Sequence, residues 1–349
     1  MGSRWLKVGA GAGLAVYGAR RVIAQAGEVD LRGEVALITG GSSGLGLQMA
    51  RELAVEGARL VICARGEDEL MRAGEDLEER GAEVLAIQCD VSDRDDVRRM
   101  VAAAVEQFGS IDVLVCNAGV IQVGQFQSME ADNFREAMDI MFFGSLYPIL
   151  EVLPYMRERG EGRIVLVTSI GGKISVPYLL PYNSAKFAAV GLGEGLRAEL
   201  QDEGITVTTI VPGLMRTGSY VNAEFSGEPE GRESTYRVFS ALSSLPLLTT
   251  SGEAAARAFV RAIKRGDALI IYPPQYSLIA RIHGLAPATT MTAMGIADRL
   301  LPDTGDHKGQ VAGGAIDDQQ PSGGVWRLLT VLGRKAAERM QLRPGAANA

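Results

Sequence analysis

The stretch ALITGGSSGLGLQMA (36–50) begins as an apolar run, breaks into glycine and serine, and resumes with apolar residues at helical spacing. Four glycines fall within the seven residues from Gly40 to Gly46. Gly40, Gly44 and Gly46 allow a sharp turn and let a ligand approach where a Cβ atom would collide. A helix that begins near Leu45 would offer free N–H groups and a partial positive charge to a pyrophosphate. The stretch therefore predicts a strand, a phosphate-binding turn and a helix.

Further apolar runs continue the alternation of strand and helix. Together with the first, they are EVALIT (34–39), RLVICA (59–64), EVLAIQC (83–89), DVLVCN (112–117), RIVLVTS (163–169), TVTTIVP (206–212) and ALIIYP (268–273). Near-continuous apolar strands suit a sheet buried on both faces, and the intervals are long enough for crossover helices. The series predicts an α/β fold with a Rossmann-type, doubly wound, seven-stranded parallel sheet, in a single domain with helical terminal extensions.

Composition excludes several classes of function. A formal net charge of −7 gives no basic patch for nucleic acid. His283 and His307 lie far from any cysteine or carboxylate–histidine cluster, so neither a metal site nor a serine–histidine triad is predicted. Cys63, Cys89 and Cys116 are odd in number and show no CxxC spacing. They indicate buried thiols in a reducing compartment.

Tyr182 and Lys186 are the candidate catalytic pair. They are four residues apart and so share one face of a helix, and no other tyrosine in the chain has a lysine at that spacing. We expect the ammonium to lower the pKa of the phenol from about 10 toward the working range. Ser169, at the end of a predicted strand, can hydrogen-bond a substrate oxygen. The alternative is that the pair lies on a solvated helix face.

Four motifs together resemble the classical short-chain dehydrogenase/reductase family: TGxxxGxG (39–46), NAG (117–119), Ser169 and YNSAK (182–186). The resemblance covers residues 33–273. It implies hydride transfer between a nicotinamide and a carbonyl carbon, with Tyr182 exchanging the proton and Lys186 also holding the nicotinamide ribose.

The resemblance also implies a cofactor site. Asp90 in CDV should contact the adenine, Asn117 should support the pocket, and Pro212-Gly213 with Thr217 should lie along the nicotinamide. The full implied set is Gly40, Ser42, Ser43, Gly44, Leu45, Gly46, Arg65, Asp90, Val91, Asn117, Ala118, Gly119, Tyr182, Lys186, Pro212, Gly213 and Thr217.

The choice of cofactor depends on ICARGE (62–67), about twenty residues after the glycine-rich turn. A carboxylate at the end of the second strand would accept from the ribose 2′-hydroxyl of NAD. Ala64 stands there instead, and Arg65 can pair with a 2′-phosphate in a charge-assisted bond worth roughly 1.5–3 kcal/mol. NADP(H) is therefore predicted over NAD(H), although Glu67 and Asp68 lie nearby; the alternative is that Arg65 is an ordinary surface arginine.

One position departs from the family pattern. MDIMFFG (138–144) has Met141 where the family usually has an asparagine whose backbone helps to hold a water in the proton relay. Asp139 is two residues away and should point elsewhere on a helix. Three outcomes stay open: another group serves the relay, turnover is slower, or the chain is a non-catalytic, dinucleotide-binding sensor or scaffold.

The substrate signal lies after the PG motif. The stretch 220–248 corresponds to the family's substrate lid, and its Tyr220, Phe225, Tyr236 and Phe239 suit an apolar substrate. The stretch 276–302 is similar to the C-terminal extension of membrane-associated members, most of all the 3-ketodihydrosphingosine reductases. These features predict a hydrophobic or lipid-like carbonyl or alcohol substrate.

The two ends of the chain differ from its middle. The first segment combines Trp5 and basic residues with an uncharged stretch, Val8 to Ala19, that is too short to span a bilayer. It indicates either a helix in contact with a membrane surface or one packed on the domain or frayed. The predicted division is 1–32 (N-terminal helix), 33–275 (catalytic domain), 276–302 (helical extension), 303–324 (flexible linker) and 325–349 (amphipathic C-terminal helix and tail).

The C-terminal helix is interpreted as docked on its own domain or on a partner subunit, with membrane contact as the alternative. By the family resemblance we expect a homodimer or homotetramer formed through the helices after the fourth and fifth strands. We expect a cytoplasmic protein, associated with the cytoplasmic face of a membrane if the terminal helices bind it.

Overall fold

The computed structural model describes residues 28–318 and 325–342. In chain order the strands are β1 (Val35–Thr39), β2 (Arg59–Ala64), β3 (Val84–Gln88), β4 (Val113–Cys116), β5 (Gln122–Val123), β6 (Gly162–Val167), β7 (Ile205–Pro212), β8 (Met215–Arg216), β9 (Glu224–Ser226), β10 (Thr250–Ser251), β11 (Leu269–Tyr272) and β12 (Gln310–Ala312). The seven predicted runs form one parallel sheet in the order β11-β7-β6-β4-β1-β2-β3. The predicted doubly wound fold is confirmed.

Helices follow most of these strands and cover both faces of the sheet. They are α1 (Gly44–Val55), α2 (Glu67–Glu79), α3 (Arg94–Phe108), α4 (Ala131–Met138), α5 (Gly144–Arg159), α6 (Leu180–Leu200), α7 (Pro229–Leu242), α8 (Gly252–Arg265), α9 (Pro274–Leu285), α10 (Pro287–Asp298), α11 (Gly313–Asp318) and α12 (Val325–Arg339).

Burial on both faces explains why β1 is apolar throughout. Val35 and Leu37 pack into the core on one side of the sheet, whereas Ala36 and Ile38 pack into the core on the other. All four side chains are completely buried. A strand between two helical layers needs no polar face, so the alternation typical of half-exposed strands is absent.

One helical stretch, Ala131–Arg159, is long and apolar enough by length and composition to cross a membrane. It comprises α4, a π-helical turn (Asp139–Phe143) and α5. Ile149, Val152 and Met156 of α5 are buried in the core beside the sheet. The helix thus belongs to the layered core, which accounts for its apolar composition.

A third apolar cluster lies outside the main sheet. It joins lid residues such as Tyr220, Phe225 and Tyr236 to Ala336 and Met340 of the C-terminal segment. A small sheet in the order β12-β9-β5 runs beside it, parallel between β5 and β9 and antiparallel between β9 and β12. No sequence pattern predicts this sheet, because each strand is only two or three residues long.

The terminal segments differ from their predictions in one respect. The sequence predicts a flexible linker over 303–324, yet the described part of this stretch contains β12 and α11, and Thr304 and Ile316 are buried. Tertiary contacts order this segment despite its polar composition: the Thr304 N–H donates to Gln125 Oε1 at 3.0 Å. Residues 1–27, 319–324 and 343–349, and with them most of the predicted N-terminal helix, lie outside the described residues.

Candidate active site

The glycine-rich corner adopts a turn that only glycine permits. β1 ends at Thr39 and α1 begins at Gly44. Gly40 and Gly44 have φ angles of 63° and 55°, in the left-handed region. A Cβ atom on Gly46 would lie 2.0 Å from the carbonyl oxygen of Gly40. The turn therefore requires glycine both for its conformation and for its close backbone contact.

The NAG motif braces this corner from the end of β4. Nδ2 of Asn117 donates hydrogen bonds to the carbonyl oxygens of Thr39 and Gly40, at 3.0 and 3.1 Å. The Thr39 hydroxyl oxygen accepts from the backbone N–H groups of Asn117 and Ala118, at 2.9 and 3.2 Å. Asn117 thus acts on the turn itself, in agreement with the supporting role that the family resemblance implies.

One cavity of about 620 Å³ joins this corner to the candidate catalytic group. The predicted residues that line it are Gly40, Ser42, Ser43, Gly44, Leu45, Arg65, Asp90, Val91, Asn117, Ala118, Gly119, Ser169, Tyr182, Lys186, Pro212, Gly213 and Thr217. Gly46 is the exception, because it packs beneath Gly40. The fold therefore brings residues from seven separate segments of the sequence around one cavity.

Ser169, Tyr182 and Lys186 meet at the carboxyl end of β6. Ser169 lies two residues after the end of β6, and its side chain hydrogen-bonds Tyr182 near the start of α6. Lys186, one turn later, is 5% exposed. Its ammonium donates to the Val167 carbonyl oxygen at 2.9 Å and lies 5.7 Å from the centroid of the Tyr182 ring. The contact with Val167 fixes the lysine beside the tyrosine.

Burial, rather than the lysine charge, determines the protonation of this group. Burial raises the pKa of Tyr182, and the hydrogen bond with Ser169 opposes that shift. Burial also lowers the pKa of Lys186 to about 8. The predicted lowering of the tyrosine pKa is wrong for the protein without ligand, since loss of hydration penalises the phenolate. At neutral pH Tyr182 is a phenol and Lys186 is mainly an ammonium.

Arg65 lies at the other end of the cavity, after β2. Its backbone carbonyl accepts a hydrogen bond from Gln88 Nε2 at 2.9 Å, and its side chain is exposed on the cavity wall. Asp90 also lines the wall, where its Oδ1 accepts from the Ser92 N–H at 2.9 Å and so closes a turn. Glu69 adds a carboxylate that was not predicted; its place one turn after Arg65 is the only signal for it in the sequence.

Tyr276 covers Gly213 where the lid begins. A Cβ atom on Gly213 would lie 2.2 Å from Cδ2 of the Tyr276 ring. The Tyr276 hydroxyl donates to the Leu248 carbonyl oxygen at 3.0 Å, which ties the extension to the lid. Thr217, beyond this contact, is buried and lines the cavity. Tyr276 is a cavity residue that no motif in the sequence marks.

Apolar side chains also line the cavity, together with polar ones that include Glu136 and Glu224. The apolar ones include Ile121, Val123, Val176, Leu179, Val238, Phe239, Leu242, Ile279, Met294 and Leu301. Among the four lid aromatics predicted to suit an apolar substrate, only Phe239 is on the wall. Tyr220, Phe225 and Tyr236 are fully buried in the third cluster, where they hold the lid against the C-terminal segment.

Met141 lies in the π-helical turn and is 1% exposed. Its sulfur is 3.5 Å from the position that a Cβ atom on Gly119 would occupy, and Lys186 Nζ is 3.7 Å from the same position. The Met141 carbonyl accepts a hydrogen bond from the Ser145 hydroxyl at 2.8 Å. Asp139 is exposed and does not replace the missing asparagine at this position.

The remaining candidate groups are structural. Within residues 28–318 and 325–342, no cluster of three or more His, Cys, Asp or Glu side chains is arranged to hold a metal ion. Cys63, Cys89 and Cys116 are buried free thiols, as predicted. Burial raises the pKa of Cys116 to about 12, so that it stays a thiol at neutral pH.

The chain is similar in sequence to known oxidoreductases. A family model described as short chain dehydrogenase matches residues 34–225. The putative ketoacyl reductase of Streptomyces coelicolor is 40% identical over 186 residues, covering 53% of this chain and 71% of that protein. The 3-ketodihydrosphingosine reductase of Mus musculus is 38% identical over 187 residues, covering 52% of this chain and 56% of the mouse protein.

Solved structures agree with these relatives. A short chain dehydrogenase/reductase from Burkholderia phymatum in complex with NAD superposes with a TM-score of 0.68 at 26% identity, covering 75% of this chain and 96% of that one. A single-residue variant of actinorhodin polyketide ketoreductase with NADPH superposes with a TM-score of 0.60 at 32% identity, covering 68% of this chain and 95% of that one.

Proposed function

Because the chain belongs to the short-chain dehydrogenase/reductase family and is an oxidoreductase acting on CH–OH groups, we propose that it interconverts a hydrophobic ketone or aldehyde with its alcohol, using NADP(H). The observation that carries this proposal is the meeting of Ser169, Tyr182 and Lys186 on the wall of a cavity that begins at the glycine-rich corner.

The corner fits a dinucleotide because Gly40 and Gly44 line the cavity and a Cβ atom on Gly44 would meet nothing within 4 Å, which leaves room for a ligand at the backbone. NADP(H), when bound, supplies or accepts the hydride at the carbonyl carbon. Ser169 and Tyr182 hold the carbonyl oxygen, and Tyr182 donates its proton to that oxygen as the alcohol forms. Lys186 orients the ribose hydroxyls. Because burial raises the pKa of Tyr182, the phenol carries its proton at neutral pH, as donation to the carbonyl oxygen requires.

The preference for NADP(H) rests on Arg65 and on the absence of a carboxylate at Ala64. A 2′-phosphate near the end of β2 would pair with the Arg65 guanidinium on the cavity wall. Glu69 on the same wall opposes a second negative charge, so the preference is moderate rather than absolute. The similar ketoreductase with NADPH supports this choice, and the similar protein with NAD supports the alternative.

A hydrophobic substrate is supported by the wall opposite the catalytic group. Phe239, Ile279 and Met294 come from α7, α9 and α10 and face the cavity. Similar proteins with a 3-keto or ketoacyl substrate in their names also point to a ketone on an apolar chain. We place the carbonyl at Ser169 and Tyr182 and the apolar body among these three side chains.

A peripheral contact with the cytoplasmic face of a membrane is part of the proposal. α9 and α10 have no buried residue, and Leu278, Leu285 and Met291 are exposed large apolar side chains. These helices border the apolar end of the cavity, where a lipid-like substrate would enter. The apolar positions Ala336 and Met340 instead dock α12 on its own domain, which favours the first interpretation of the C-terminal helix.

A homodimer or homotetramer through α5 and α6 is the proposed assembly. Leu150 and Tyr155 on α5 and Phe187 on α6 are exposed large apolar side chains on the helices that follow β4 and β6. Covering them would remove apolar surface from water. Light scattering of the purified chain measures the assembly.

Replacement of Tyr182 by phenylalanine tests the catalytic assignment. The change removes the proton donor and keeps the ring, so we expect turnover of a reducible ketone to fall by about 10²–10⁴-fold. NADPH binding should stay close to wild type. The assay is oxidation of NADPH, and separately of NADH, across a panel of apolar ketones. Unchanged turnover in the variant would show that Tyr182 is not the acid.

Met141 favours the second candidate, a non-catalytic sensor or scaffold that binds the dinucleotide. The same ketone panel separates the two candidates. Wild-type protein that binds NADPH tightly, yet oxidises it with no ketone in the panel, would support the sensor.

A further inference from the structure

The C-terminal helix ends against the glycine-rich corner, far from it in sequence. The Gly44 N–H, at the start of α1, donates to the Met340 carbonyl oxygen at 3.0 Å. The Arg51 guanidinium on α1 donates to the Arg339 carbonyl oxygen at 2.9 Å. The last carbonyl groups of α12 thus meet the first N–H group of α1 and a cation on it. This polarity stabilises the contact, since both helix ends gain a partner.

Side chains fix this contact closely. Met340 is completely buried, and its methyl group is 2.3 Å from the position of a Cβ atom on Gly252, at the start of α8. Thr217 lies against the same position on Gly252, at 3.5 Å. Ala337 packs on the backbone of Gly218, where an added Cβ atom would lie 2.3 Å from its methyl group. The last turn of α12 therefore has no room to shift without repacking.

The other part of α12 holds the lid. A Cβ atom on Gly333 would lie 2.3 Å from the Ser244 hydroxyl and 2.9 Å from the Tyr220 ring. Arg334 forms an ion pair with Asp317 of α11 at 2.8 Å. One helix therefore contacts the lid along its length and the phosphate-binding corner at its end.

The docked helix borders the cavity without filling it. Leu342, just beyond α12, is 8% exposed and lines the same cavity as Ser42, Ser43 and Leu45. The cavity keeps its volume of about 620 Å³ with the helix in place. A plug over the phosphate site would have taken up that volume, so Leu342, just after α12, forms part of the cavity wall.

We propose that residues Met340 to Leu342 are part of the cofactor site. Met340 acts as a positioning residue that holds Gly44, and Leu342 shields the phosphates of the bound dinucleotide from solvent. This inference rests on the proposed function only in requiring that the cavity bind NADPH. The C-terminal segment, which lies outside the family match at 34–225, is then needed for tight cofactor binding.

Two arginine substitutions on α12 test the proposal. Ala337→Arg places a long cation against Gly218 and should lift the last turn, whereas Leu332→Arg adds the same charge on an exposed face of the same helix. We expect the Kd for NADPH, measured by fluorescence titration, to rise at least about tenfold in A337R, with kcat at saturating NADPH little changed. L332R should match the wild type in both.

The NADPH titration of the wild type distinguishes a failure of the proposed function from a failure of the proposed role of α12. Wild type that binds neither NADPH nor NADH would refute the proposed function. Wild type that binds NADPH, with an unchanged or lower Kd in A337R, would overturn only the role of α12.

Hydrogen exchange on the wild-type chain covers the case in which A337R does not fold. Saturating NADPH should slow amide exchange in residues 336–342 as well as in the corner at 40–46. Protection of the corner alone would overturn the proposal, because residues in contact with the cofactor should exchange their amide protons more slowly when it is bound.

Discussion

The cavity has two walls that the chain builds differently. Residues 34–212 supply the first wall from consecutive strand, turn and helix units, such as the corner between β1 and α1. Residues 213–342 supply the second wall from pieces that meet only in the folded protein, such as β9 with β12 and Tyr276 with Leu248. The family model covers most of the first wall, whereas it ends at residue 225 and leaves most of the second wall outside the match.

The difference extends to burial. Every residue of β1 is completely buried, so its contribution to stability is set by the close packing of both cores. α9 and α10, on the second wall, have no buried residue. We expect substitutions in the first wall to alter stability or cofactor binding strongly. Substitutions at exposed positions of the second wall should instead alter the binding of the protein to other molecules or to a membrane.

The largest effect is expected for Gly46→Ala, because Gly46 packs directly beneath the first wall at Gly40. The new methyl group would lie 2.0 Å from a backbone oxygen, so no side-chain rotation relieves the clash and the turn must shift. We expect a loss of about 3 kcal/mol in the free energy of unfolding, and loss of measurable NADPH binding. Urea unfolding and fluorescence titration measure the two quantities.

Gly191→Ala is the matched control. Gly191 lies inside α6, and a Cβ atom there would meet nothing within 4 Å. Alanine is the better helix former, so this variant should be more stable by up to about 1 kcal/mol. If G46A and G191A had the same unfolding free energy and the same affinity for NADPH, the close packing inferred at Gly46 would be wrong.

The next effect concerns Lys186 and is measured through pH. Its pKa falls to about 8 in the folded protein from a usual 10.5, so the unfolded chain binds more protons between these values. Stability contributed by this group therefore rises with pH, by about 2 kcal/mol between pH 8 and pH 10. The difference in unfolding free energy between wild type and Lys186→Met should follow that rise.

Lys173→Met is the control for this pH profile. Lys173 pairs with Glu194 at the surface, so its removal should leave the rise intact. A flat difference between wild type and K186M across the same range would show that Lys186 is not desolvated as the structure indicates.

The contrast between the walls explains what the sequence could predict. The seven strands of the sheet and the Tyr182–Lys186 spacing are encoded within short windows, so local pattern is sufficient to predict them. β5 and β9 have two and three residues, and their pairing depends on a distant backbone. Tyr276 and Leu342 reach the cavity through tertiary packing alone, and no periodicity or motif marks such contacts.

Two errors have the same physical origin. The polar composition of 303–324 indicates a linker, but the half-buried Gln125 supplies a hydrogen-bond partner for the buried Thr304 and orders the segment. The expected lowering of the Tyr182 pKa considers only the neighbouring charge. Desolvation, which depends on everything packed around the ring, has the larger effect and the opposite sign.

A smaller effect is expected for Arg65→Ala, which tests cofactor choice within the first wall. Removing one exposed guanidinium should weaken NADPH binding about tenfold, because the charge-assisted bond to a 2′-phosphate is lost. NADH has no such phosphate, so its Kd should stay the same and serves as the internal control. An equal change in Kd for both cofactors would mean that Arg65 supports the adenosine pocket but does not bind the 2′-phosphate.

The smallest effect on stability is expected for Leu285→Ser on the second wall. Leu285 is 88% exposed at the end of α9, so the substitution should change the unfolding free energy by less than about 0.5 kcal/mol. The same substitution at the fully buried Leu53 of α1 should cost about 3 kcal/mol or more. That pair of measurements compares the two walls with identical chemistry.

A second measurement shows whether the exposed Leu285 side chain contributes to membrane binding. L285S should lower the fraction of protein that floats with phosphatidylserine-containing vesicles, since the apolar side chain would lie in the headgroup region. The polar replacement leaves the cavity wall at Ile279 and Met294 untouched, so turnover of a water-soluble ketone should stay the same. If vesicle binding also stays the same, Leu285 does not contribute to membrane binding. The exposure of α9 and α10 would then require another explanation.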